Sequence, residues 1–150
     1  MRLRSLAASA FCLGLLQAFV VPPATATTVN AQTSGERRIW MTVAERRFAV
    51  TLQDNEAALA FVAQLPLALD MPDLNGNEKH VRVPRLPSNV TPAGTIHAGD
   101  VMLYGDDTLV VFYETFRSSY SYTRIGRIEQ PARLAHALGQ GTARITFTAP

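Results

Sequence analysis

Residues 96–141 read IHAGDVMLYGDDTLVVFYETFRSSYSYTRIGRIEQPARLAHALGQG, and this stretch decides the fold. Residues 101–104 and 109–113 are apolar and β-prone, and the short polar segment 105–108, Gly-Asp-Asp-Thr, turns one back on the other. Residues 109–113 are apolar at every position, so both faces of that strand are expected to be covered. A polar and aromatic loop is predicted over 115–121, followed by a strand over 122–128. Pro131 suits the first turn of a helix, where its missing N–H costs nothing, and Gly139 suits the position past its end. Strand periodicity therefore dominates.

Working outward, residues 142–148 form a last strand. Residues 84–98 carry Pro84, Pro87, Pro92 and Gly94 and are predicted to be a long irregular loop. Residues 79–83 alternate, with Val81 and Val83 on one face and His80 and Arg82 on the other. Asn75-Gly76 signals a turn, and Leu67, Leu69 and Met71 a strand before it. Asp54 or Asn55 caps a helix whose face is Ala58, Phe61, Val62 and Leu65, and Pro66 stops it. Residues 39–43 and 47–52 make a hairpin about the turn 44–46. No internal repeat interrupts a single domain over 37–150.

The first residues have another logic. Arg2 and Arg4 form a basic start, residues 6–21 are an apolar run, Pro22-Pro23 breaks it, and Ala24-Thr25-Ala26 offers a small-x-small cleavage site. These parts predict a signal peptide over 1–26 and periplasmic or secreted localisation. A membrane anchor is the competing reading, but the run is short for spanning and the cleavage site follows at once. No membrane attachment is expected after cleavage. Residues 27–36 are small and polar and read as a flexible lead-in.

The one cysteine, Cys12, lies in the apolar run, and Phe11 stands where a lipoprotein signal needs a small residue. Cleavage would leave no thiol, so stability must come from the core. Of the 14 basic residues, Arg2 and Arg4 fall in the signal, and the remainder balance the 12 acidic ones. A nucleic-acid partner is therefore not expected, because phosphate binding requires a net basic surface. Nothing in the pattern sets an oligomeric state.

Residues 124–128, Arg-Ile-Gly-Arg-Ile, with the helix that follows, residues 96–102, and the helix containing Phe61 together resemble the cyclophilins. The chain resembles more closely the small bacterial cyclophilin-like proteins, in which Asp73-Leu74-Asn75-Gly76-Asn77-Glu78-Lys79 and Ser119-Tyr120-Ser121-Tyr122-Thr123-Arg124-Ile125-Gly126 are specific segments; the match spans about residues 38–148. The resemblance implies a mainly β fold: a closed cyclophilin-like β-barrel with two short helices over its ends. It brings no reaction with it.

In cyclophilins an Arg polarises the X-Pro amide beside a Phe pocket and a Gln, following a Phe-His-Arg-Ile pattern. Here only Arg82, in His80-Val81-Arg82-Val83-Pro84, matches, and neither Phe nor Gln follows within twenty residues. Arg82 is thus the one catalytic candidate, and an isomerase acting on exported proteins is the alternative to a domain that binds a peptide or small ligand. Arg82 and Arg85, beside the 84–98 segment, are candidates to clamp a carboxylate or polarise a carbonyl. Tyr104, Tyr120 and Tyr122, with Arg124 sharing the strand face of the last two, are candidates to line a groove. Phe112 is read as core. His80, His97 and His136 show no metal-ligand spacing, and residues 118–121 lack a nucleophile elbow, so neither a metal nor a cofactor is expected.

Overall fold

Alternation builds the first hairpin: β1 (Arg38–Val43) buries Ile39, Met41 and Val43, and β2 (Arg46–Leu52) buries Phe48, Val50 and Leu52. The computed structural model describes residues 37–150; the predicted signal peptide at 1–26 and lead-in at 27–36 lie outside the described residues. Helix α1 (Glu56–Val62) is capped by Asn55, whose Oδ1 accepts the Ala58 N–H at 2.8 Å. Its Nδ2 donates to the Arg124 carbonyl at 2.8 Å, tying the cap to the barrel wall. The helix ends at Val62 rather than reaching Leu65. Its last turn tightens, with Gln64 and Leu65 donating to the carbonyls three residues back, and Pro66 has no N–H to continue the ladder.

Strands β3 (Leu67–Met71), β4 (Asp73–Leu74), β5 (Glu78–Arg82), β6 (Thr91–Ile96), β7 (Asp100–Tyr104), β8 (Thr108–Phe112), β9 (Phe116–Ile128) and β10 (Ala143–Thr148) follow. A 3-10 turn, Pro131–Arg133, opens into helix α2 (Leu134–Leu138), which Gly139 ends at φ +60°. The sheet runs β3-β10-β1-β2-β9-β7-β8-β5-β4, every pair antiparallel. Its ends approach each other, and the His80 N–H donates to the Pro72 carbonyl at 3.2 Å across the seam. The barrel is nearly closed. Its interior is filled by Met41, Val50, Leu103, Val111, Ile125 and Phe147 among others, and by Phe61 of α1 and Leu134 of α2.

Two expected loops are strands. Residues 91–96, inside the predicted 84–98 loop, form β6, which pairs only with β9. An edge strand tolerates Pro92 because a proline without an N–H removes little from its ladder, and a register shift between Pro92 and Gly94 absorbs the irregularity. The predicted loop at 115–121 is the first half of the 13-residue β9. Its polar Arg117, Ser118, Ser119 and Ser121 hide a strand whose partner lies in the proline-rich segment. Together β6 and this half of β9 form an arm folded over the outside of β7 and β8.

The arm creates a second core. Ala93, Ile96, Phe116 and Tyr122 pack on Met102, Val110 and Phe112. Leu109 and Val111 face the barrel interior instead, so β8 is covered on both faces, as its unbroken apolar run requires.

Candidate functional site

Strand pairing sets the floor of a groove between the arm and the 73–80 hairpin. Glu78 stands opposite Phe112, His80 opposite Val110, and Tyr104 opposite Thr108. All lie on the outer face of the sheet, since Val110 and Phe112 belong to the second core. Phe116, Ser118, Tyr120 and Tyr122 of β9 form one wall, and Leu74, Asn75 and Asn77 of the hairpin the other. The hollow measures about 440 Å³.

Its rings are arranged around Tyr104. The Tyr104 and Tyr120 centroids are 6.1 Å apart and nearly perpendicular, and Tyr104 and Tyr122 are 5.6 Å apart. Tyr122 also meets Phe112 edge-on at 5.5 Å. Edge and tilted contacts suit the aromatic quadrupole. Tyr122 is buried, whereas Tyr104 and Tyr120 present their rings to solvent. Burial pushes the Tyr122 phenol up, and the Glu78 charge adds to it.

Glu78 is the unusual group of the floor. It is only 8% exposed, and it takes part in none of the ion pairs among the described residues. Burial pushes its carboxyl above the ordinary glutamate value, and the nearby Asp73 charge pushes the same way. In the same lining, His80 Nδ1 and Asn77 Oδ1 are buried without a hydrogen-bond partner. Uncompensated buried polar groups are costly, and these two share one hollow with Glu78.

The predicted site residues divide. Tyr104, Tyr120 and Tyr122 come together in the groove. Arg82 shares the outer face of β5 with Glu78 and His80 but lies past the groove, its side chain 84% exposed and 3.2 Å from Asp107. Arg85, equally open, donates to Asp106 at 2.7 Å. Both arginines thus clamp carboxylates of the chain's own β7–β8 turn. Arg124 is 3.5 Å from Asp100, a buried carboxylate that also accepts the His97 N–H at 2.9 Å. It braces the end of β7 and does not line the groove. The 84–98 segment contributes none of the groove's lining; the 73–80 hairpin forms that wall.

A wider cleft of about 540 Å³ lies between β2 and the 3-10 turn, lined by Trp40, Arg46, Arg47, Glu129 and Arg133 among others. Two of its groups already have partners: Arg47 stacks on Trp40 at 3.9 Å, and Glu129 pairs with Arg38 at 2.6 Å. No group of three or more His, Cys, Asp or Glu side chains among the described residues is placed to hold a metal.

The sequence matches the Cyclophilin-like family over residues 41–148. The chain belongs to this family. Among solved structures, this cyclophilin-like chain is similar to the hypothetical protein AF2241 from Archaeoglobus fulgidus, known as a solution structure. The TM-score is 0.50 and the identity 18%, with 77% of this chain and 95% of that chain covered. At that identity the likeness speaks for the fold alone. No curated protein matches the sequence.

The two segments that carry the cyclophilin-like resemblance have clear physical work here. In residues 73–79, Asp73 and Lys79 pair at 2.8 Å around a turn in which Asn75 and Gly76 both take positive φ, and Glu78 drops into the groove. In residues 119–126, Tyr120 and Tyr122 wall the groove, the Thr123 hydroxyl accepts the Asn89 N–H at 2.9 Å, and Gly126 lets β2 approach. Glu78, His80 and Asn77 escaped the sequence reading as groove residues. Alternation from His80 puts Glu78 on the same face as Arg82, but only the pairing with Phe112 reveals that this face is covered.

Proposed function

We propose that this cyclophilin-like protein is exported and binds a small molecule or a peptide in the tyrosine-walled groove. The observation that carries the reading is the pair of exposed rings, Tyr104 and Tyr120, set 6.1 Å apart above a floor of buried groups without partners. A concave, mostly apolar hollow with a few convergent polar groups is the usual form of a ligand site. Export rests on the basic start, apolar run and Ala24-Thr25-Ala26 site of the sequence.

Isomerase activity would require Arg82 beside an apolar pocket, with its guanidinium turned towards a substrate amide. Arg82 is open to solvent and engaged by Asp107, so the ligand-binding reading is preferred. An exchange assay on an X-Pro peptide that compares the protein with Arg82→Ala separates the two: equal rates are expected.

Binding is tested by NMR titration against fragment and short-peptide libraries. Hits are expected to shift resonances of Tyr104, Tyr120 and Ser118, and Tyr120→Ala is expected to weaken them without changing the melt. Hits confined to the arginine-lined cleft, or none, would sink the proposal. For export, residues 1–26 fused to a reporter should carry it out of the cytoplasm; retention inside would refute that part.

A further inference from the structure

The chemistry of the groove selects its ligand. Glu78 is a carboxylate at a floor position, 8% exposed, without a cation to pair with among the described residues. Its neighbour Lys79 cannot serve, because it faces the other side of β5 and spends its ammonium hydrogens on Asp73, Gly139 and Gly141. Arg117 stands at the rim of the groove and is exposed, where water and salt screen its charge. The rings of Tyr104, Tyr120 and Tyr122 line the same groove, and Tyr122 packs edge-on against Phe112, the residue opposite Glu78. Aromatic faces beside a carboxylate are the recurring means of holding an organic cation, since the ring quadrupole attracts positive charge and the carboxylate neutralises it. An anion would meet Glu78 unfavourably, and a neutral ligand would leave its charge buried and unpaired.

We infer that the groove takes an organic cation, an alkylammonium or guanidinium group, seated against the Tyr104, Tyr120 and Tyr122 rings with its charge on the Glu78 carboxylate. The inference rests on the ligand-binding reading above and narrows it to one chemical class. The cation is either free, as in a small quaternary amine, or carried on a peptide side chain; both present the same charge to the same atoms. Buried, partnerless Asn77 Oδ1 and His80 Nδ1 in the lining leave hydrogen-bonding capacity for N–H groups of the guest.

The test pairs each cation with an uncharged molecule of the same shape. Choline is compared with 3,3-dimethyl-1-butanol, and blocked arginine amide with blocked citrulline amide, each titrated into the purified protein and followed by NMR. Each preferred cation is expected to bind about tenfold or more tightly than its neutral counterpart, the range that cation–π and ion-pair contacts provide. Groove resonances should move, and whichever pair shows the larger discrimination identifies the source as free amine or side chain. Glu78→Gln keeps the shape and is expected to remove the preference while neutral binding stays. Tyr104→Leu, at a half-exposed position where the apolar bulk is kept, should weaken the cation several-fold. Neutral probes that bind as tightly as cations, with Glu78→Gln without effect, would overturn the inference and leave the binding groove standing. Failure of all four probes to shift groove resonances would also overturn it; the library titration then decides the groove on its own.

Discussion

Glu78 and Lys79 are adjacent in the chain, yet their charges face opposite sides of the sheet. The pleat of β5 sends Glu78 outward against Phe112 and Lys79 inward beside Val111. Lys79 is fully buried. Its Nζ donates to Asp73 Oδ2 at 2.8 Å, to the Gly139 carbonyl at 2.8 Å and to the Gly141 carbonyl at 2.6 Å. Every ammonium hydrogen has an acceptor, and the chain after α2 is thereby pinned to the 73–79 hairpin. The Tyr113 hydroxyl donates to the same Asp73 oxygen at 2.6 Å. One residue therefore organises the fold while its neighbour is left free for the groove.

Lys79→Met is expected to destabilise the protein by about 3–5 kcal/mol, the usual cost of removing one partner from a buried ion pair. It leaves the Gly139 and Gly141 carbonyls without their donor and takes the cation from Asp73, which keeps the Tyr113 hydroxyl and the Gly76 N–H. The hydrogen bond from Lys79, then that from Tyr113, holds the Asp73 carboxyl below its ordinary value of 3.8. A depressed acid stabilises the fold above the unfolded value, and that contribution is lost as pH falls below it. Urea melts should show wild-type stability dropping on acidification below pH 3.8, and a flatter profile for Lys79→Met there. Equal melts at pH 7 would mean that this network does not support the fold.

Glu78 works in the opposite sense. Its carboxyl is raised, chiefly by burial, so the folded protein holds the proton more readily than the unfolded chain. The contribution of Glu78 to stability is then fully present below the ordinary value of 4.5 and is lost as pH rises through the folded value. Glu78→Gln removes this decline. In thermal melts across pH 4 to 8 the variant should match wild type at the acid end and exceed it at neutrality. A variant less stable than wild type at pH 7 would show that the carboxylate is satisfied in the free protein.

The second core and the groove wall separate by exposure. Phe112 is fully buried, with Phe116 at 5.8 Å and Tyr122 at 5.5 Å. Phe112→Ala should cost about 3–5 kcal/mol through lost burial and the cavity left behind, a large share of the roughly 5–15 kcal/mol of a small domain. Tyr120 is 61% exposed, and Tyr120→Ala should change stability by less than about 0.5 kcal/mol. Melting midpoints of the two variants provide the comparison, and a Phe112→Ala midpoint near wild type would refute the two-sided burial of β8.

Gly126 is a contact requirement. A Cβ there would lie 2.6 Å from the Thr51 carbonyl oxygen and 3.2 Å from Val50 Cγ1. Backbone cannot yield as a flexible side chain can, so β2 and β9 would have to separate. Gly126→Ala is expected to cost about 1–3 kcal/mol, as overpacking does. Chemical denaturation reads this directly, and a neutral effect would mean that the two strands pair more loosely than described.

The sequence by itself determined most of the architecture, because most of the signals are local. Alternation wrote β2 into the chain and apolar, β-prone composition wrote β1, Asn55 began α1, Asn75-Gly76 turned the 73–79 hairpin, and the unbroken apolar run of β8 required cover on both faces. The tyrosines of the groove were readable as residue types clustered between 104 and 122. The arm was not, because Pro92, Gly94 and the serines of β9 lack strand character until each segment finds the other, and pairing energy comes from hydrogen bonds between residues far apart in sequence. The roles of the charged residues were likewise decided only by the tertiary structure. Arg82 and Arg85 looked free until the β7–β8 turn brought Asp106 and Asp107 beside them, and Glu78 looked solvated until Phe112 and the arm closed over it. Burial and charge pairing are sums over neighbours that the linear sequence does not place; periodicity and turn chemistry belong to each segment alone.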